Sequence, residues 1–268
     1  MAPPLFARAA AAAGFVADPI ARGPWDERMM HGGAPAALLA REVERVPPGR
    51  DDMVVARLTV EFLGAVPIGP VNVETEVVKP GRRFQLVDAA LDAGGRRACL
   101  ARAVRLRRAD MPSAAAAPDR GADPLPPPGD GAPLPRFVVR DDGIFYPDAC
   151  EIRHVGGELG SGAVAAWVRL RGELVPGEPP SPLARVAAAA DFANGLSWIV
   201  PFEEWLFVNT DLTIHVHREP DGEWIGVDAR SSIGALGIGQ ATATLHDLHG
   251  PVGSCAQSLF VEPRRSGL

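Results

Sequence analysis

Residues 58–62 (Leu-Thr-Val-Glu-Phe) alternate apolar and polar side chains, the period-two pattern of a strand with one buried face. Residues 71–77 repeat the pattern more loosely, and residues 212–217 alternate again. Further strands are predicted at residues 86–91 and 99–106, and in the second half at 224–229, 241–245 and 255–261, with turns at Gly94-Gly95 and Gly250. Two stretches switch to helical spacing. Residues 34–46 follow Gly32-Gly33 and set Leu38, Leu39, Val43 and Val46 among charged residues, and Pro47-Pro48 stops them. Residues 183–196 follow Ser181-Pro182, an N-cap with proline in the first turn, and pass through alanines 187–190, small enough to pack closely on a sheet.

The two sets of elements share order and spacing. Pairing Leu58 with Leu212 gives a shift of 154 residues and pairing Gly95 with Gly250 gives 155, which predicts a duplication. Between the sets, residues 109–135 hold eight prolines and no apolar period, as an extended, solvated linker would. The predicted organisation is therefore an N-terminal unit (1–108), a Pro/Ala-rich linker (109–135) and a C-terminal unit (136–268). One helix and four or five antiparallel strands, twice over, make an α+β fold of two antiparallel sheets, each wrapped around a long central helix.

The 268 residues are 47% hydrophobic and 22% charged, in the range of folded globular chains. A net charge of −6 without a basic run argues against a nucleic-acid partner. Cys99, Cys150 and Cys255 are odd in number and lack a CxxC pair, so neither a disulfide framework nor a zinc site is expected, and a reducing cytoplasm fits. The apolar run at residues 9–17 is about half a membrane span, mostly alanine, and has neither the basic start nor the leucine-rich centre of a signal peptide. His215 and His217 share a strand face without a third ligand, so no metal is expected, and His246 and His249 flank a turn and read as solvated. The chain has no Gly-x-Ser-x-Gly elbow, dinucleotide fingerprint or P-loop, which removes serine-elbow hydrolases and the nucleotide cofactors those loops bind.

Taken together, Trp25, Met30-His31-Gly32-Gly33, the run from Leu58 to Leu63 and Gly81-Arg82-Arg83 resemble the first half of thioesterase-like proteins with a double hot-dog fold. The second half is similar through Asp191-Phe192-Ala193-Asn194-Gly195, the run from Asp211 to Arg218, Gly222-Glu223-Trp224 and Ala256-Gln257-Ser258-Leu259. In order and spacing the whole resembles the acyl-CoA thioesterase II family. The resemblance implies hydrolysis of an acyl-CoA thioester to free acid and CoA by an attacking water, with no cofactor. It implies that Asp191 activates the water and that Gln257 and Asn209 hold water and carbonyl. Asn209 stands where the family has threonine, and has an amide in place of the hydroxyl. His31, Gly32 and Gly33 are expected at the substrate, with backbone N–H groups near the glycines or Gly195 adding to an oxyanion hole, and Arg82 and Arg218 at the CoA phosphates. Taken alone, Asp191 could be a solvated helix residue, Gln257 a half-exposed strand residue and Cys255 a buried thiol. Acyl-CoA is the expected partner, and exposed sheet edges favour a homodimer or larger homo-oligomer. Two alternatives stay open. A hot-dog enoyl-CoA hydratase needs an Asp–His pair, and no histidine follows Asp191 within five positions; a non-catalytic acyl or acyl-CoA binding protein would keep the fold without turnover.

Overall fold

The alternating segments at residues 58–62 and 71–77 lie within longer strands, and the one at 212–217 forms a strand that ends at residue 216. A computed structural model describes residues 2–9, 14–46, 51–111, 124–136, 138 and 143–264. The first half contains β1 (Phe6–Arg8), β2 (Gly14–Ala17), α1 (Gly33–Glu44), β3 (Met53–Phe62), β4 (Pro70–Lys79), β5 (Phe84–Ala93) and β6 (Arg96–Arg107). The second contains β7 (Ala132–Pro133), β8 (Cys150–Glu158), β9 (Ala163–Leu170), α2 (Pro182–Ala190), α3 (Ala193–Leu196) and β10 (Trp205–Asn209). It closes with β11 (Asp211–Val216), β12 (Ile225–Ile233), β13 (Ile238–Asp247) and β14 (Gly250–Pro263). Among the described residues no helix is long and apolar enough to cross a membrane.

The expectation of two separate sheets, each around its own long helix, is corrected by the pairing. All the strands join one antiparallel sheet in the order β1-β2-β4-β5-β6-β3-β11-β14-β13-β12-β9-β8-β7, with β10 also on β14. The halves fuse where β3 meets β11. Thr59 and Thr213 stand opposite each other in that ladder, 154 residues apart, and their hydroxyls are 3.3 Å from one another. The duplication shift is thus the separation of the pair at the ladder's centre, as it must be when a twofold-like axis runs between duplicated strands.

The helices are also shorter than expected. α1 ends at Glu44, and the helix expected through residue 196 breaks at Asp191, which caps α2 before α3 resumes. Side chains from β14 account for the break. Gln257 Oε1 accepts the Asn194 N–H at 3.1 Å, a proton that an unbroken helix would direct to Ala190 O, and Ala190 O takes the Cys255 thiol at 3.8 Å instead. α1 and α2 run antiparallel against each other: a Cβ on Gly33 would lie 2.8 Å from Ala188 O, while Glu44 at the other end accepts from Ser181 Oγ at 2.5 Å. Their alanine-rich buried faces allow this approach, and both helices share one core cluster with the sheet.

The second half of the proline-rich segment is a docked strap in place of a solvated linker. Trp167 Nε1 donates to Pro126 O at 2.7 Å, Leu125 lies over Gly226, Ala132 and Pro133 pair with His154 and Arg153, and Leu134 is buried. Residues 112–123 lie outside the described residues. The apolar run at residues 9–17 ends in β2, whose Phe15 and Ala17 are buried beside β4.

Candidate active site

β10 and β11 pair with successive parts of β14, but β3 reaches only β11. Among the described residues, no second strand covers β10, and beside it lies a cavity of about 830 Å³. Its walls come from β10, from the segment before α1 (Arg22 to Gly32), from the α2–α3 corner, and from Leu134, Ile144 and Tyr146 of the strap region. The lining is mostly apolar and aromatic: Trp25 stacks on Phe202 at 4.5 Å and meets Phe207 edge-on at 5.1 Å. The Tyr146 hydroxyl donates to Leu134 O, tying the strap to this wall.

At one side of the cavity, polar groups from three other parts of the chain converge on a buried carboxylate. The Asp191 side chain is 3% exposed. Its Oδ1 accepts from Asn209 Nδ2 at 2.9 Å, and its Oδ2 lies 3.0 Å from His31 Nδ1. Gln257 Nε2 approaches Asp191 O at 3.4 Å and Oδ1 at 3.5 Å, the outer limit of a hydrogen bond. The carboxylate rests on Gly32: a Cβ there would sit 2.8 Å from Oδ2 and 2.9 Å from Oδ1. Only glycine leaves room for it at the amino end of α1, where the helix dipole favours negative charge.

The members play different parts. Asn209 ends β10, lines the cavity, and directs both amide protons inward, to Asp191 and to Asp211 O at 3.3 Å, so its own carbonyl is what remains to meet a ligand. Gln257 is 1% exposed and lies behind Asp191, outside the cavity wall, clamping the α2–α3 corner. His31 lines the cavity with its ring between Phe145 and Phe192, at centroid distances of 4.7 and 4.4 Å. Gly32 and Gly195 also line it. Gly33 does not, and its N–H points to His31 Nδ1 at 3.1 Å. Asn194, which no single-residue argument singled out, joins the cluster through its backbone N–H and through Nδ2 on Phe207 O at 3.4 Å. Its place in the run Asp191-Phe192-Ala193-Asn194-Gly195 was the available signal.

Two expected contacts lie elsewhere. Arg82 is exposed in the turn between β4 and β5 and takes no part in the cavity wall. Arg218 clamps Asp247, with Nη2 on Oδ1 at 2.6 Å and Nη1 on Oδ2, and also reaches Pro251 O and Gly250 O, a structural tie across a turn. His246 is buried, not solvated, because a register shift at Leu245/His246 turns it inward. Burial, with the Asp191 charge as a lesser contribution, pushes the Cys99 thiol up to about 12; burial foremost does the same for Cys255, so neither is an available thiolate at neutral pH.

Two family models match the chain: an acyl-CoA thioesterase N-terminal domain over residues 21–107 and an acyl-CoA thioesterase C-terminal domain over residues 112–261. Among solved structures, a provisionally named thioesterase from Novosphingobium aromaticivorans is 26% identical, covering 97% of this chain and 99% of its own, with a TM-score of 0.73. A protein of unknown function with a hot-dog fold from Alicyclobacillus acidocaldarius is 18% identical over 94% of each chain, with a TM-score of 0.69. An acyl-CoA thioesterase II from Mycobacterium marinum is 18% identical over 96% of this chain and 95% of its own, with a TM-score of 0.65. No curated protein matches.

Proposed function

The chain belongs to the acyl-CoA thioesterase family and is a thioester hydrolase of hot-dog fold, and from that premise we propose that it hydrolyses an acyl-CoA thioester with water activated at Asp191. The observation that carries this reading is the convergence of Asp191, Asn209 and His31 on one wall of an apolar cavity, from elements far apart in sequence. The apolar, aromatic part of the cavity suits the acyl group. The Asp191 carboxylate supplies the negative charge that makes a water nucleophilic. Asn209 offers its carbonyl to that water, and the backbone at Gly32 and Gly195 faces the place where charge develops on the thioester oxygen. Gln257 supports this from behind by fixing the corner that aims Asp191. The acid and the free thiol are the products, and the buried cysteines take no covalent part.

Thiol release from a short, a medium and a long acyl-CoA tests the reading. Asp191→Asn is expected to lose about 10²–10⁴ in kcat, the usual worth of a positioned base, and Asn209→Ala about 10-fold or more. Full rate in Asp191→Asn overturns the assignment. The Asp191–His31 contact also supplies the acid–base pair that a hydratase needs. Hydration of crotonyl-CoA without thiol release would move the reaction to the double bond, and ligand binding without either reaction would make the protein a binding module.

A further inference from the structure

Arg82 and Arg218 lie away from the cavity, which leaves the phosphates of the substrate without an assigned cation. Arg264 follows β14, and its guanidinium centre stands 4.5 Å from the Phe202 ring centroid and 5.1 Å from that of Trp25, two residues that line the cavity. Arg28, Arg97, Arg102 and Arg218 each sit on a carboxylate. Among the described residues the Arg264 side chain makes no ion pair or hydrogen bond, so two aromatic faces hold the cation while its charge and its N–H donors stay available. We propose that Arg264 binds the phosphate of the phosphopantetheine arm that carries the acyl group. The proposal rests on the hydrolase reading centred on Asp191 and adds where the other end of the substrate is held.

β10 sets the distance between the two ends. Asn209, beside Asp191, pairs with Leu259 of β14, and Trp205 pairs with Pro263. Arg264 therefore stands one position beyond the start of β10, where its N–H donates to Glu204 O at 2.7 Å. About 17 Å of strand separates it from the level of Asn209. An extended phosphopantetheine arm spans roughly 16 Å from sulfur to phosphorus at ordinary bond lengths. A thioester carbonyl at Asn209 and a phosphate at Arg264 thus fit one extended arm, and Leu206, Phe207 and Val208 line the cavity along the stretch between them.

Arg96 also reaches the wall, but at the other end of β10. Its Nη2 donates to Ala65 O at 2.7 Å, and the nearby Phe62 N–H donates to Thr210 O, level with Asn209. An extended arm starting at Asn209 would overshoot it. Two carboxylates share the Arg264 end of the cavity. Asp26 is held by Arg28, and Glu203 is exposed, where water and salt screen its charge.

The same acyl group carried on CoA, on phosphopantetheine and on pantetheine, which lacks phosphate, tests this by thiol release, each variant being checked for a parental melting transition. In Arg264→Gln, KM for the CoA and phosphopantetheine esters is expected to rise about tenfold or more, the worth of a charge-assisted hydrogen bond, with kcat kept and KM for the pantetheine ester unchanged. Arg96→Gln is expected to leave the order of the three substrates as in the parent. Parental KM for both phosphorylated esters in Arg264→Gln overturns the proposal. An equal rise with all three esters also overturns it, because Arg264 would then only pack on Trp25 and Phe202, and a rise with the CoA ester alone moves the contact to the nucleotide and overturns it too. A rise confined to the phosphorylated esters in Arg96→Gln in place of Arg264→Gln puts the phosphate at the wrong end of β10. Asp191→Asn separates the two levels: parental kcat there overturns the hydrolase site, whereas kcat lost alike on all three esters, beside parental KM in Arg264→Gln, removes only the phosphate contact.

Discussion

Gly32→Ala isolates the placement of the Asp191 carboxylate from the stability of the fold. Gly32 has φ −59° and ψ −25°, which alanine adopts freely, so the backbone is not strained. The new methyl group meets the carboxylate at 2.8 and 2.9 Å, about 0.6 Å inside the 3.4 Å at which ordinary contact begins. A methyl fixed to the helix start cannot rotate away, so the carboxylate moves. Its hydrogen bond from Asn209, now 2.9 Å, and its contact with His31, now 3.0 Å, lengthen to about 3.5 Å, where hydrogen bonds fail. Misplacement by about 1 Å can cost 10²-fold in rate, so a fall in kcat of about 10- to 10²-fold is expected. Glycine and alanine differ at a helix start by no more than about 1 kcal/mol, which moves the melting temperature of a chain this long by only about 2–4 °C. Thiol release and calorimetry on the same preparation decide the matter. A Gly32→Ala variant with parental kcat refutes the claim that glycine is there to seat the carboxylate, and activity lost only together with the fold refutes it equally.

Three other outcomes are expected. Burial pushes the Asp247 carboxyl up, but hydrogen bonds from Arg218 and from the N–H groups of Asp221 and His249 outweigh it and hold it at about 2. Because the folded value lies below the unfolded one of 3.8, the stabilisation is full above about pH 4 and fades as pH falls towards 2. Asp247→Asn should cost roughly 2 kcal/mol at pH 7 and progressively less in acid, read by urea titration. A destabilisation independent of pH would sink that account. Burial, against the hydrogen bond from Ser181, raises Glu44 to about 7, so folding holds its proton more tightly and stability from this group is lost between about pH 4.5 and 7. Glu44→Gln should then raise the melting temperature at pH 8 by more than at pH 5, and an equal effect at both would contradict it. Finally, Cys99, Cys150 and Cys255 are buried with raised thiols, so alkylating reagents at pH 7 should leave thiol release intact and Cys255→Ala should keep parental kcat; inactivation in the native state would restore a cysteine mechanism.

Period-two alternation revealed β3 and β11 because each buries one face and leaves the other open, so burial is written into the order of residues. β9 was not legible for the opposite reason. Residues 164–168 are buried on both faces, one against the core and the other beneath the strap that Trp167 and Leu125 hold down, so alanine and valine run on without a period. β10 was hidden because its free edge lines a cavity and its side chains answer to that space. Asp191 and Gln257 could be named from their motifs, and the duplication could be measured from spacing alone. The sequence by itself determined many of the strands, the two helical segments and the spacing of the duplication, because those follow from local periodicity, and it pointed to Asp191, Asn209 and Gln257 only through the resemblance to a family. Only the tertiary structure decided that the duplicated halves fuse into one sheet, that Gln257 stands behind the carboxylate, that Arg218 serves the fold, and that His31, 160 residues from Asp191, lies 3.0 Å from it. Those outcomes depend on how β3 pairs with β11 and on where α1 begins relative to the end of α2, and no periodicity within either segment carries that information.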